Sequence, residues 1–206
     1  MLFKPFMREN FIPLPVALIS TVSPDGIRNI APYGCLMPIL RPLDLMAVAS
    51  AHRRDTLANI RATGEFVINL PGIGMADAVI PTARFSPPEA DEFELAGLDP
   101  HPSTEIAPPG IAGCYAWMEC RLDRLYEEKA YVLVIGKVVR LEVDDAALGE
   151  DGTLDLDRAR PLMMTGSRRG MHFCAAAAIG RFEPFGAMAP GGRDPLAPLY
   201  AQDADE

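Results

Sequence analysis

The sequence predicts a mainly β fold, an antiparallel barrel or sandwich carrying a few peripheral helices, and three observations support it. Tyr115 to Tyr126 sets Ala116, Met118, Cys120 and Leu122 against Glu119, Arg121 and Asp123, and Tyr131 to Val143 continues as a second long apolar strand. The alternation is that of a sheet with two unlike faces. Only Glu127-Glu128-Lys129-Ala130 separates the two strands, so they pair as an antiparallel hairpin. Strands linked by one good helix and several short ones, without regular strand–helix alternation, argue against a βαβ fold.

From the N-terminus, Leu14 to Val22 reads as one apolar, β-branched strand that stops at Ser23-Pro24-Asp25-Gly26. That is a turn sequence, with Gly26 supplying positive φ. The return strand Ile27 to Tyr33 carries Pro32 and runs into Gly34, so regular pairing is expected to fail there and leave backbone groups open. Leu45 to Ala49 predicts a buried strand. After it, Leu57, Ile60 and neighbouring alanines give a helix its inward face, with Asp55 or Thr56 as its cap and Gly64 as its stop. Glu65 to Leu70 is a further strand ended by Pro71-Gly72. The stretch from Ile73 to Pro109 is proline-rich, with short helical turns expected at Met75 to Val79 and Asp91 to Ala96.

The 206 residues, 49% apolar, are enough for one domain, taken as residues 1–184. Residues 185–206, rich in Gly, Pro, Ala and Asp, read as a flexible tail or an arm toward a partner. A formal charge of -9 disfavours nucleic acid as a partner, since polyanion binding releases counterions through many Lys and Arg contacts. No apolar run reaches the roughly twenty residues that span a bilayer, and Met1 to Phe6 lacks a signal-peptide pattern. No membrane role and a cytoplasmic location are expected. Cys35, Cys114, Cys120 and Cys174 form no CxxC pair and no ligand cluster with His52, His101 or His172, and read as buried reduced thiols. Met37 and Met46 are expected in the core.

The chemistry concentrates in two segments. In Ser50-Ala51-His52-Arg53-Arg54-Asp55-Thr56, a strand ends in two arginines and a hydroxyl at a helix start. First-turn N–H groups lack intrahelical acceptors, so an anion there gains hydrogen bonds, the favourable end of the dipole and two guanidinium charges. A capped helix with solvated arginines accounts for the same residues. The second segment is Asn29-Ile30-Ala31-Pro32-Tyr33-Gly34-Cys35, where small residues let a flat group approach the backbone. For His52, His172 beside Arg168 and Arg169, and Trp117, ordinary surface or packing roles compete with ligand contact.

Taken in order, Pro15-Val16-Ala17-Leu18-Ile19, Asp25-Gly26, Asn29 to Tyr33, Arg53 to Ile60, Glu65 to Leu70, Asp91 to Leu98, Glu119-Cys120 and Val134 to Val138 resemble the flavin reductase-like, FMN-binding split-barrel family. The resemblance spans about residues 12–165. It implies a six-stranded antiparallel Greek-key split barrel, homodimeric, binding FMN and in some members FAD. Many such proteins oxidise NAD(P)H, and several hand reduced flavin to a partner monooxygenase.

Carried over by position, Asn29, Ile30, Ala31, Pro32, Tyr33, Gly34 and Cys35 would run along the isoalloxazine ring and offer it backbone N–H groups. Ser50, Arg53, Arg54 and Thr56 would hold the phosphate. Hydride transfer between stacked rings needs proximity and no dedicated acid, base or nucleophile, so no catalytic side chain is assigned. The chain departs from the family at Gly34-Cys35-Leu36-Met37, at Tyr131 where a histidine is common, at Glu92 where a lysine is common, and at the tyrosine-free Met171 to Ala178. These departures leave room for a flavin-binding electron carrier or redox sensor without turnover. Haem, bound by related barrels, finds no axial-ligand motif here.

Overall fold

The computed structural model describes residues 1–40, 43–167, 169–180 and 190–192. The main strands are β1 (Leu14–Pro15), β2 (Ala17–Val22), β3 (Arg28–Tyr33), β4 (Leu36–Pro38), β5 (Leu45–Ser50), β6 (Glu65–Pro71), the two-residue β7 (Pro100–His101) and β8 (Gly110–Ile111), β9 (Cys114–Glu127), β10 (Val132–Val143), β11 (Leu162–Ser167) and β12 (Gly170–Ala175). Helices are α1 (Asp55–Thr63), α2 (Ala76–Thr82), α3 (Glu92–Ala96) and α4 (Leu156–Ala159).

Seven strands form an antiparallel sheet in the order β3-β2-β6-β9-β10-β5-β4, curled into a split barrel. Ala17 and Ile19 of β2 share one buried cluster with Met46 and Val48 of β5, although three strands lie between them. A flat sheet would hold such strands about 19 Å apart, four spacings of roughly 4.8 Å, so their common core requires the curl. Leu57 and Ile60 of α1 are buried in that core, which makes the helix the barrel's plug.

The outer face is covered as well. Leu18, Val67 and Trp117 pack outside the barrel with Val79 of α2 and Phe93 of α3. Burial on both faces is why β2 and β6 read as unbroken apolar runs. At Gly136 an added methyl would overlap the Phe66 ring, so the glycine of β10 provides the space that this inner aromatic fills.

The β9–β10 hairpin forms as expected, closed by Glu128 N–H donating to Tyr131 O at 2.9 Å. The β2–β3 turn also forms, with Gly26 at φ 86°. Several expectations are corrected. The single strand over Leu14 to Val22 breaks at Val16, whose N–H donates to Leu162 O, so β1 belongs to a separate sheet of order β1-β11-β12. The six strands expected of the barrel are seven, because three-residue β4 adds to the edge of β5. Met37, on that edge strand, is 58% exposed and not in the core, whereas Met46 is buried. Cys114 and Cys120 are buried, and burial pushes the Cys114 thiol up to about 12, but Cys35 is exposed. Apart from a short turn at 190–192, the tail lies outside the described residues, as does Arg168.

Candidate functional site

α1 begins with Arg54 as its cap residue, in extended conformation at φ -134° and ψ 135°, with no side chain closing the helix end. This corrects the expectation of Asp55 or Thr56 as cap. Asp55 is the first helical residue, and the Thr56 hydroxyl turns inward to donate to Asn29 Oδ1 at 2.9 Å. The first helical bond runs from Ala58 N–H to Arg54 O, so the N–H groups of Asp55, Thr56 and Leu57 have no acceptor inside the helix. Gly64 ends the helix as expected, at φ 74°, donating to Ile60 O at 2.8 Å.

β3 approaches the helix start from the sheet edge. Contrary to expectation, Pro32 does not interrupt pairing, since Ala31, Pro32 and Tyr33 stay in register with Ile19, Leu18 and Ala17. The reason is geometric. Ile30 N–H points away from β2, to Glu92 Oε2 at 2.7 Å, and by two-residue alternation Pro32 faces the same open side. Its missing donor therefore removes no ladder bond. The open edge presents the carbonyls of Ile30 and Pro32, while the one N–H between Arg28 and Gly34 on that side, at Ile30, is already engaged. Gly34 has a packing reason of its own: a Cβ there would meet Met164 Cε.

Asn29 to Cys35, Arg53, Arg54 and Thr56 all line one cleft of about 400 Å³. Ser50 is buried behind its wall, with its Oγ 3.1 Å from the Tyr33 hydroxyl. The other wall is formed by Thr82 at the end of α2, by Ala83 to Ser86 after it and by Glu92 of α3, and of these the sequence singles out only Glu92. Those residues sit in the proline-rich stretch, where periodicity gives no guidance. The cap of α3 was a usable signal: Asp91 Oδ1 accepts from Phe93 and Glu94 N–H, and its other oxygen accepts from Arg28 Nε at 2.6 Å.

Glu92 is the buried charge of the site. Its Oε2 accepts from Asn29 Nδ2 at 2.5 Å and from Ile30 N–H, and burial raises its pKa, opposed by the Ile30 bond and reinforced by Asp55. Asn29 Oδ1 receives both Thr56 and Thr21, and Asn59 Nδ2 donates to Thr21 Oγ1 at 3.0 Å. A continuous chain of hydrogen bonds thus joins α1, β2, β3 and α3 beneath the cleft floor.

Arg53, Arg54 and Arg84 line the cleft and form no salt bridge among the described residues, even though acidic side chains outnumber basic ones, 28 to 19. Cationic side chains grouped with unbonded N–H groups favour an oxyanion. The other candidates have ordinary roles. His52 Nε2 lies 2.7 Å from Glu128 O, His172 Nε2 on β12 lies 3.0 Å from Ser167 Oγ on β11, and Trp117 is buried outside the barrel, stacked on His101 at 3.9 Å. Among the described residues no group of His, Cys, Asp or Glu is placed to hold a metal, and no helix is long and apolar enough to cross a membrane.

A curled barrel plugged by a helix whose bare start faces an open strand edge defines the split-barrel class of flavin proteins. The chain belongs to the flavin reductase like domain family, which matches residues 7–170. A protein of Methanothermobacter thermautotrophicus is 58% identical over 205 residues, 97% of each chain. Among solved structures, nitrilotriacetate monooxygenase component B from Bacillus cereus superposes with a TM-score of 0.77 at 26% identity, over 89% of this chain and 98% of that one. The flavoredoxin of Desulfovibrio vulgaris superposes with a TM-score of 0.78 at 21% identity, over 88% and 97%, a likeness of fold.

Proposed function

We propose that the chain binds FMN, or FAD through its FMN half, in this cleft and acts as an NAD(P)H-dependent flavin oxidoreductase. The observation that carries the reading is the pairing of the uncapped start of α1, and of Arg53 and Arg54, which form no salt bridge among the described residues, with the open edge of β3. A phosphorylated flavin fits this donor set. The N–H groups of Asp55, Thr56 and Leu57 and the two guanidinium groups would bind its phosphate. Thr56 contributes its backbone there, and its hydroxyl steadies Asn29.

Residues Ile30 to Cys35 would lie along the ring, with the free carbonyls of Ile30 and Pro32 as acceptors for a ring N–H. Glu92 and the β2 ladder hold that edge in one conformation, so orientation is set before the ligand arrives. Bound flavin would supply the redox chemistry, with NAD(P)H as the electron donor. The protein's part is to bind, orient and exclude water along one side.

On the same reading residues 1–184 form one domain and the protein works in the cytoplasm as a homodimer, with a monooxygenase as the recipient of reduced flavin. The likeness to a monooxygenase component supports that last element. The test is a visible spectrum of the purified protein, an FMN titration, and anaerobic addition of NADH or NADPH. Flavin binding followed by rapid bleaching and sustained turnover is expected. Binding with no bleaching would replace the reductase with a passive electron carrier, and no binding would overturn the flavin reading.

A further inference from the structure

The cleft holds more cationic and aromatic surface than an FMN phosphate uses. Arg53 and Arg54 together with the start of α1 suffice for one phosphomonoester, yet Arg84 lines the same cleft with no acidic partner among the described residues. Beside it stands Phe85, 88% exposed, with the Arg54 guanidinium carbon 5.0 Å from its ring centroid. The ring is presented by an ordered turn. Ala83 and Arg84 donate their N–H groups to Ile80 O and Pro81 O, and Pro87-Pro88 follow two residues after Phe85.

Because Arg54 is the cap residue of α1, the ring it holds stands at the phosphate end of the cleft. FMN ends at its phosphate. FAD continues from that point through a second phosphate and a ribose to adenine, which needs one further cation and a flat apolar surface. From this we infer that Arg84 and Phe85 receive the adenosine monophosphate half of FAD, Arg84 meeting the second phosphate and Phe85 stacking on the base, so that the chain prefers FAD to FMN. The inference rests on the flavin reading of the cleft and deepens it. A guanidinium against one face of Phe85 fixes the ring and leaves the other face for a base.

The experiment is to titrate FMN and FAD separately into the wild type, Phe85→Ala and Arg84→Ala proteins, following flavin fluorescence. Phe85 is exposed, so its truncation leaves the fold intact. In the wild type FAD binds at least about tenfold tighter than FMN, and Phe85→Ala removes about tenfold from FAD while FMN changes less than about twofold, in line with the cost of a lost base–aromatic stack. Arg84→Ala weakens FAD selectively, most at low salt. Equal wild-type affinities, a preference that survives Phe85→Ala, or parallel loss of both flavins in the variants would overturn the inference and leave FMN binding standing. Failure of the wild type to bind either flavin overturns the flavin reading and this inference with it.

Discussion

Asn29 Nδ2 donates to Glu92 Oε2 at 2.5 Å, and through that bond α3 fixes the strand that forms one wall of the cleft. The carboxylate is buried and its second donor is the Ile30 N–H, so any change at Glu92 is felt at two successive residues of β3.

The pH dependence of stability follows from burial of this carboxyl. Its folded-state pKa is raised above the ordinary 4.5, so the folded protein binds more proton than the unfolded chain in the window above that value. The group's contribution is whole below pH 4.5 and is lost as pH rises through the folded pKa. Glu92→Gln keeps an acceptor and removes the titration. Urea midpoints measured from pH 4 to 8 are expected to fall less steeply for the variant on the alkaline side of pH 4.5, and identical slopes would refute the assignment.

The two hydroxyl and guanidinium groups at the helix start separate by role. Arg53→Ala weakens FMN by about 1.5–3 kcal/mol, the range for hydrogen bonds to charged groups, with a smaller loss at high salt. Riboflavin, which lacks the phosphate, binds both proteins alike. Thr56→Ala instead lowers stability by about 0.5–1.5 kcal/mol, because its hydroxyl serves Asn29, and leaves the phosphate's backbone contact in place. Calorimetric titration with the two flavins and a denaturant curve distinguish these outcomes.

Gly136→Ala forces a methyl into the Phe66 ring within the barrel. Destabilisation of about 1–3 kcal/mol is expected from overpacking. Adding Phe66→Leu, which clears the space, recovers part of the loss, so a thermal-melt double-mutant cycle with no coupling would refute the contact.

Asn69 is fully buried and cross-links three segments, donating to Leu18 O at 2.8 Å and Ser20 Oγ at 3.0 Å while accepting from Ile111 N–H at 2.8 Å. Asn69→Ala strands these groups, and each unmet one costs about 1–3 kcal/mol. A loss of at least ~2 kcal/mol in chemical denaturation is expected.

Elements with strong local pattern were legible from residues alone. The β9–β10 hairpin follows from alternation, α1 from its inward Leu57 and Ile60 and its terminal Gly64, and both segments of the cleft from their small and basic residues. Most of the opposite wall was not legible, because Arg84 and Phe85 reach the site only through folding of the aperiodic stretch that follows α2. Thr56 lines the cleft, but its hydroxyl's partner is Asn29, 27 positions earlier, a choice set by the β3–α1 packing. Pro32 misled for a related reason. A proline disrupts a central strand, and only the strand order shows that β3 is an edge.

That edge has a consequence for solution behaviour. An unpaired outer strand is a template on which another chain can add itself and begin aggregation. Here Ile30 has already given its N–H to Glu92, and Pro32 has none to give, so an incoming strand would find two successive outward positions without a donor. The same two residues that keep carbonyls free for a small molecule make the edge a poor seed for polymerisation. The cleft can therefore open at a sheet margin without that margin offering a full strand template.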